Sequence, residues 1–107
     1  PGVTVRKGCT IKNSIVFSGT YIDENTNLDT MIIDKKVYVG KNSVLGHGDD
    51  YSPNRDKPDL LTRGISVIGK SVLIPDGSII GRNVRIFTNV KLHDGNKFVR
   101  SGETIKE

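Results

Sequence analysis

The chain has 107 residues, 35% of them hydrophobic, 26% charged and 12 of them glycine, which is room for one domain. Its net charge of +4 is spread as +2 over residues 1–45, −1 over 46–64 and +3 over 65–107. That leaves no dense basic stripe, and the three Tyr and three Phe form no stacking pattern, so nucleic-acid binding is not expected. No apolar run approaches the roughly 20 residues of a membrane span, and no membrane association is expected either. The single cysteine, Cys9, excludes an internal disulfide and fits a reducing, cytoplasmic location. Pro1 stands where a complete chain would open on methionine, so a fragment of a longer chain is expected.

Along the first block, Val5, Ile11, Phe17, Ile22, Leu28, Ile33, Val39 and Leu45 recur at intervals of six, with two intervals of five. The pattern then stops for 19 residues, Gly46 to Gly64, rich in Gly, Asp, Asn and Pro. That composition predicts an inserted loop. The period resumes without slips at Ile68, Ile74, Ile80, Ile86 and Leu92. Val72, Ser78, Val84 and Val90 follow the first four of these by four positions and are small or β-branched.

A period of six fits neither a helix at 3.6 nor a single strand at 2. It fits a short strand followed by a corner, repeated, with each aliphatic and the small residue four places on facing one interior. Such units bury too little alone and must stack. The fold class is therefore all-β, with corners expected to demand unusual backbone angles at Gly40, Gly69 and Gly81. Beyond Leu92, Asp94-Gly95-Asn96 predicts a hairpin turn, Lys97 to Arg100 a short strand, and the tail a polar cap. One domain over 1–107 results: repeats 5–45 and 65–92, the loop 46–64 and the cap 93–107.

The hexads resemble the hexapeptide-repeat family, with full matches beginning at Ile22, Ile33, Val39, Ile68 and Ile80. The resemblance implies a left-handed parallel β-helix with three faces and about four coils of about eighteen residues. More narrowly, Ile11-Lys12-Asn13-Ser14-Ile15-Val16, Gly46-His47-Gly48-Asp49-Asp50-Tyr51, Gly64-Ile65-Ser66-Val67-Ile68-Gly69-Lys70 and Ile74-Pro75-Asp76-Gly77 occur in order. They resemble the carboxy-terminal domain of glucose-1-phosphate adenylyltransferases and related sugar nucleotidyltransferases. What this implies is a regulatory and oligomerisation domain, whose catalytic partner in the same chain makes ADP-glucose and pyrophosphate for glycogen or starch synthesis. That partner would use Mg²⁺, and the assembly would be a homo-oligomer, a tetramer in the parent enzyme. The catalytic glycine-rich motif is absent from these residues, so no cofactor and no transferase activity are expected of them alone.

The same resemblance implies that Lys35, Arg63 and Lys70 contact anionic metabolite effectors. Lysine serves phosphate as a point charge, and arginine can grip it bidentately. Lys35 and Lys70 each follow an inward aliphatic by two places, Ile33 and Ile68. Strict alternation would turn them inward, so they are expected at corners, where a long side chain reaches water. An alternative is a hexapeptide acyltransferase with His47, at the mouth of the loop, as general base. A three-histidine zinc site is excluded by the presence of only His47 and His93, and His47-Asp49-Asp50 reads as hydrated turn rather than metal site. Cys9 is expected to be a buried structural thiol.

Overall fold

The computed structural model describes residues 2–106 and contains strands but no helix. The first coil is β1 (Thr4–Val5), β2 (Thr10–Lys12) and β3 (Ile15–Val16); the second is β4 (Tyr21–Ile22), β5 (Asn27–Asp29) and β6 (Met31–Ile33). The third is β7 (Tyr38–Val39), β8 (Val44–Leu45) and β9 (Ser66–Ile68), with the loop 46–64 between its last two strands. The fourth is β10 (Leu73–Ile74), β11 (Ile79–Ile80) and β12 (Arg85–Ile86). A fifth consists of Lys91, bridged to Leu73, with β13 (Phe98–Val99) and β14 (Thr104–Ile105). Three parallel sheets result: sheet A in the order β1-β4-β7-β10, sheet B in the order β13-β11-β8-β5-β2, and sheet C in the order β14-β12-β9-β6-β3. This is a parallel β-helix with three faces.

Each face lines the interior with one ladder of aliphatics. On sheet B, Ile11, Leu28, Leu45, Ile80 and Val99 pair in register. On sheet C the ladder is Val16, Ile33, Ile68, Ile86 and Ile105. Ile22, Ile33, Val39, Leu45, Ile68, Ile74 and Ile80 are fully buried, each worth about 1.5–3 kcal/mol of transfer free energy. The lower ladders step by 17 residues per coil (Thr4 to Tyr21 to Tyr38). Six, five and six residues therefore make up a coil, not three sixes. One slip falls earlier than expected, between Ile11 and Val16: Val16, not Phe17, pairs above with Ile33, and Phe17 is exposed.

Corners are closed by small hydroxyl groups turned inward. Thr20 Oγ1 donates to Asp34 O and Thr26 Oγ1 to Gly40 O, both at 2.8 Å, and Ser66 Oγ donates to Gly81 O at 2.9 Å. Cys9 occupies an equivalent place, half-buried, with its Sγ on Asp23 O at 3.0 Å. Among the described residues no buried side-chain polar atom lacks a partner, as a stable interior requires.

The expected role of Gly40, Gly69 and Gly81 needs correction. None has a positive φ; the left-handed corner positions belong instead to residues such as Asn25, Lys36, Asn42, Ser71, Asn83 and Asn89, at φ of 57–68°. Asparagine tolerates that region best among residues with a side chain. Gly69 and Gly81 are required by room: a Cβ would lie 2.6 Å from Thr88 N and from Ser101 N, respectively, on the rung above.

The carboxy-terminal residues also differ from expectation. Asp94–Asn96 do turn, but β13 pairs parallel with β11, so no hairpin forms. β13 and β14 extend sheets B and C by one more rung, which raises the count from about four coils to five. The reason is that Val99 and Ile105 still find Ile80 and Ile86 beneath them, although the spacing from Leu92 has lengthened. The loop returns the chain in register, since β9 pairs with β6 through Ile33 and Ile68.

Candidate functional site

Two of the three expected cations meet at one corner. Lys35–Lys36 and Lys70–Ser71 both form turns that lead out of sheet C. They stack on successive rungs because Ile33 pairs with Ile68. The backbone ties the column together: Lys36 N donates to Ser18 O, Ser71 N to Lys35 O and Asn89 N to Lys70 O, at 3.2, 3.0 and 2.9 Å. Parallel strands lie about 4.8 Å apart, so the two lysine stems leave the prism about one strand spacing from each other. Both are exposed, and neither is ion-paired among the described residues. The nearest carboxylate in sequence, Asp34, is engaged by the Lys35 amide at 2.7 Å. Arg63 does not join them. It sits exposed in the bend before β9, at the opposite edge of sheet C.

The loop is held by residues that the sequence pattern did not single out. Asn54 is fully buried. Its Nδ2 donates to Asn83 O and Glu103 O, and its Oδ1 accepts from the Asp56 and Lys57 amides and from Thr104 Oγ1. Asn83 returns the favour at the corner, donating to Tyr51 O and Ser52 O and accepting from Gly64 N. Arg82 completes the clamp. Its Nε donates to Gly48 O at 2.6 Å, its guanidinium lies 4.7 Å from the Tyr51 ring centre, and Asp29 Oδ2 stands 3.4 Å away. The available signal was the Pro53-Asn54-Arg55-Asp56 stretch, where an Asn side chain commonly caps the backbone two residues on.

His47 lies on the rim of an open cleft of about 550 Å³ between this loop and the exposed side chains of Ile79 and Phe98. Its amide donates to Ile80 O, and among the described residues its ring has no hydrogen-bond partner that would orient it as a base. His93 is elsewhere, its Nδ1 accepting from Gly95 N. No group of three or more His, Cys, Asp or Glu among the described residues could hold a metal ion.

Three carboxylates are held below their ordinary range by hydrogen bonds. For Asp23 the main cause is the Tyr38 hydroxyl, which donates at 2.8 Å; the same bond pushes Tyr38 up to about 12. Asp29 is lowered chiefly by Thr30, and Asp50 chiefly by the Ser52 hydroxyl. These are structural pairings at corners and in the loop. None of them faces the Lys35–Lys70 column.

A family profile described as GlmU-like, C-terminal hexapeptide, matches residues 1–68. The chain belongs to this family. It is also 39% identical, over 97% of its length, to a glucose-1-phosphate adenylyltransferase of Acetivibrio thermocellus, of which it covers 26%. A glucose-1-phosphate adenylyltransferase of Thermomicrobium roseum is 43% identical over 88% of the chain and 22% of the relative. That of Pseudothermotoga lettingae is 35% identical over 94% and 29%, respectively. The chain thus spans about a quarter of the length of the curated relatives it matches. Among the described residues, no helix is long and apolar enough to cross a membrane.

Proposed function

We propose that this β-helix is the regulatory and assembly domain of a glucose-1-phosphate adenylyltransferase. On this reading a separate nucleotide-binding domain of the same chain joins ATP to glucose 1-phosphate in the cytoplasm, releasing pyrophosphate and making ADP-glucose for glycogen or starch synthesis. Magnesium would belong to that other domain. The similarity of nearly the whole chain to a quarter of such enzymes supports the class of parent protein.

The observation that carries the regulatory reading is the stacking of Lys35 and Lys70 at one corner, exposed and without an ion pair among the described residues. Two like charges held on neighbouring rungs repel each other, and an anion between them relieves that repulsion. Exposed lysines hold phosphate weakly, so the chain alone is expected to bind anionic metabolites at millimolar concentration or above, about −4 kcal/mol or less. Arg63, on the other edge of the sheet, would contact a different part of a larger effector or none.

Assembly is supported by the first coil. Val5 and Ile11 are 46% and 39% exposed, while their partners one rung up, Ile22 and Leu28, are buried; the outward Ile15 and Phe17 add apolar surface beside them, at 57% and 44% exposed. An open apolar rung with unpaired strand edges favours association with another protein surface. We assign it to the catalytic domain and to neighbouring subunits of a homo-oligomer.

The test is a titration of the chain with 3-phosphoglycerate, fructose 1,6-bisphosphate and phosphate, followed by amide NMR shifts. Shifts at residues 34–36 and 69–71 that weaken with added salt and vanish in Lys35→Ala, Lys70→Ala are expected. Shifts confined to other surfaces would overturn the assignment.

A further inference from the structure

We propose that a second, distinct anion site lies on the upper half of sheet C, built for a small ligand with two phosphate-like groups. Four cations from three separate segments line one cleft of about 500 Å³ there: Arg55 and Lys57 from the loop, Arg85 from β12, and Lys106 after β14. Among the described residues the cleft holds one carboxylate, Asp56, 3.9 Å from the Lys106 ammonium. Arg55, Lys57 and Arg85 form no ion pair among the described residues, although the Arg55 charge reaches Asp50 in the loop and, after the Ser52 hydrogen bonds, helps to lower it. Gathering unpaired like charges costs free energy, which a bound anion offsets.

The cations are held, not merely near one another. Phe87 stands between two of them, its ring centre 4.4 Å from Arg85 Cζ and 5.4 Å from Lys106 Nζ. Cation–π contact of this kind fixes a charged head while leaving its outer N–H donors available. The loop cations ride on a pinned backbone: Arg55 N donates to Gly102 O, and the Lys57 amide donates to buried Asn54 Oδ1. Asn54 in turn accepts from Thr104 Oγ1, another lining residue. A preorganised set loses less entropy on binding than free surface lysines would.

Two guanidinium groups and two ammonium groups suit a ligand with two anionic ends, each guanidinium offering a bidentate fork. The volume is that of a metabolite site. A long polyanion is disfavoured because the charge does not continue down the face. Below Arg85 the outward positions of sheet C are Val67, Ile32 and Ile15. Lys35 and Lys70 do not line this cleft, so the inference stands whether or not their corner binds anything.

The experiment titrates the 107-residue chain with sodium pyrophosphate and with inorganic phosphate at low ionic strength, reading amide NMR shifts. Saturable shifts at Lys57, Arg85, Phe87 and Thr104 are expected, with pyrophosphate at least about threefold tighter than phosphate. The Arg55→Gln, Arg85→Gln double variant should weaken pyrophosphate by about tenfold or more, and Lys57→Gln, in the exposed loop, by a smaller factor. Lys35→Ala, Lys70→Ala should leave it within about twofold. Unsaturable shifts, an affinity unchanged in the arginine double variant with its spectrum otherwise intact, or shifts at Lys35 and Lys70 with none at the cleft would each overturn the proposal. So would an oligonucleotide that binds tighter than pyrophosphate and shifts residues well beyond the cleft.

Discussion

Asn54→Ala should be among the costliest single substitutions outside the aliphatic ladders. The side chain is fully buried and makes five hydrogen bonds, two within the loop and three that join it to two neighbouring rungs. Each is worth about 0.5–1.5 kcal/mol net, and a buried group left unpaired costs more. The Asp56 and Lys57 amides belong to exposed residues, where water replaces the lost acceptor cheaply. Asn83 O, buried in the corner, and Glu103 O, half-buried, have less access to it. Weighing the two groups gives a loss of about 2–4 kcal/mol. For a domain of this size that lowers the melting temperature by about 10 °C or more. Urea unfolding followed by far-UV circular dichroism measures it, with the exposed neighbour Arg55→Ala as a control expected within about 0.5 kcal/mol. A loss for Asn54→Ala below about 1 kcal/mol would refute the account of the loop as pinned.

Ile80→Ala removes three buried carbons from the middle of the sheet B ladder and should cost about 2–5 kcal/mol in the same assay, whereas Phe98→Ala, at 66% exposure, should cost far less. Tyr38→Phe should flatten stability against pH at both extremes. Asp23 is lowered in the folded state, so its contribution is present above the ordinary carboxylate range and fades as pH falls through the folded value; Tyr38 is raised, so its contribution is present below its ordinary value of 10.0 and is lost as pH rises through about 12. Chemical unfolding from pH 2 to 12 reads this, and identical profiles for wild type and variant would contradict it. Deleting residues 48–62 leaves every ladder pairing in place but strips Arg82 and Asn83 of partners. The variant should keep a β-type circular dichroism spectrum and melt earlier, and outright unfolding would place the loop within the core.

The upper coils were plain in the sequence because Ile68, Ile74, Ile80 and Ile86 never slip. The first coil was less so. Val16 and Phe17 are both apolar, and a shift of one residue turns a strand over; only the pairing of Ile15–Val16 with Ile32–Ile33 decides between them. The fifth coil was hidden by the seven residues from Leu92 to Val99, which break the period while parallel pairing rescues the register. Crowding at Gly69 and Gly81 comes from Thr88 and Ser101, 19 and 20 residues away in sequence on the next rung, and local conformational rules do not see that. The corner position of Lys35 and Lys70 followed from Ile33 and Ile68, but their stacking on successive rungs rests on the pairing of β6 with β9 across the loop. The clamp of Asn54, Asn83 and Arg82 carried no periodic signal, since it depends on where an irregular loop folds back. The basic cleft was equally illegible, because its four cations lie in three segments up to 51 residues apart.

The most direct measurement uses an enzyme that carries this domain together with its nucleotide-binding partner, assayed for ADP-glucose formation with and without a phosphorylated effector. Lys35→Ala, Lys70→Ala should leave the unstimulated rate within about twofold and raise the effector concentration needed for half response by about tenfold. An effector response identical to the wild type would contradict the regulatory assignment, and the absence of any ADP-glucose formation would contradict the parent activity itself.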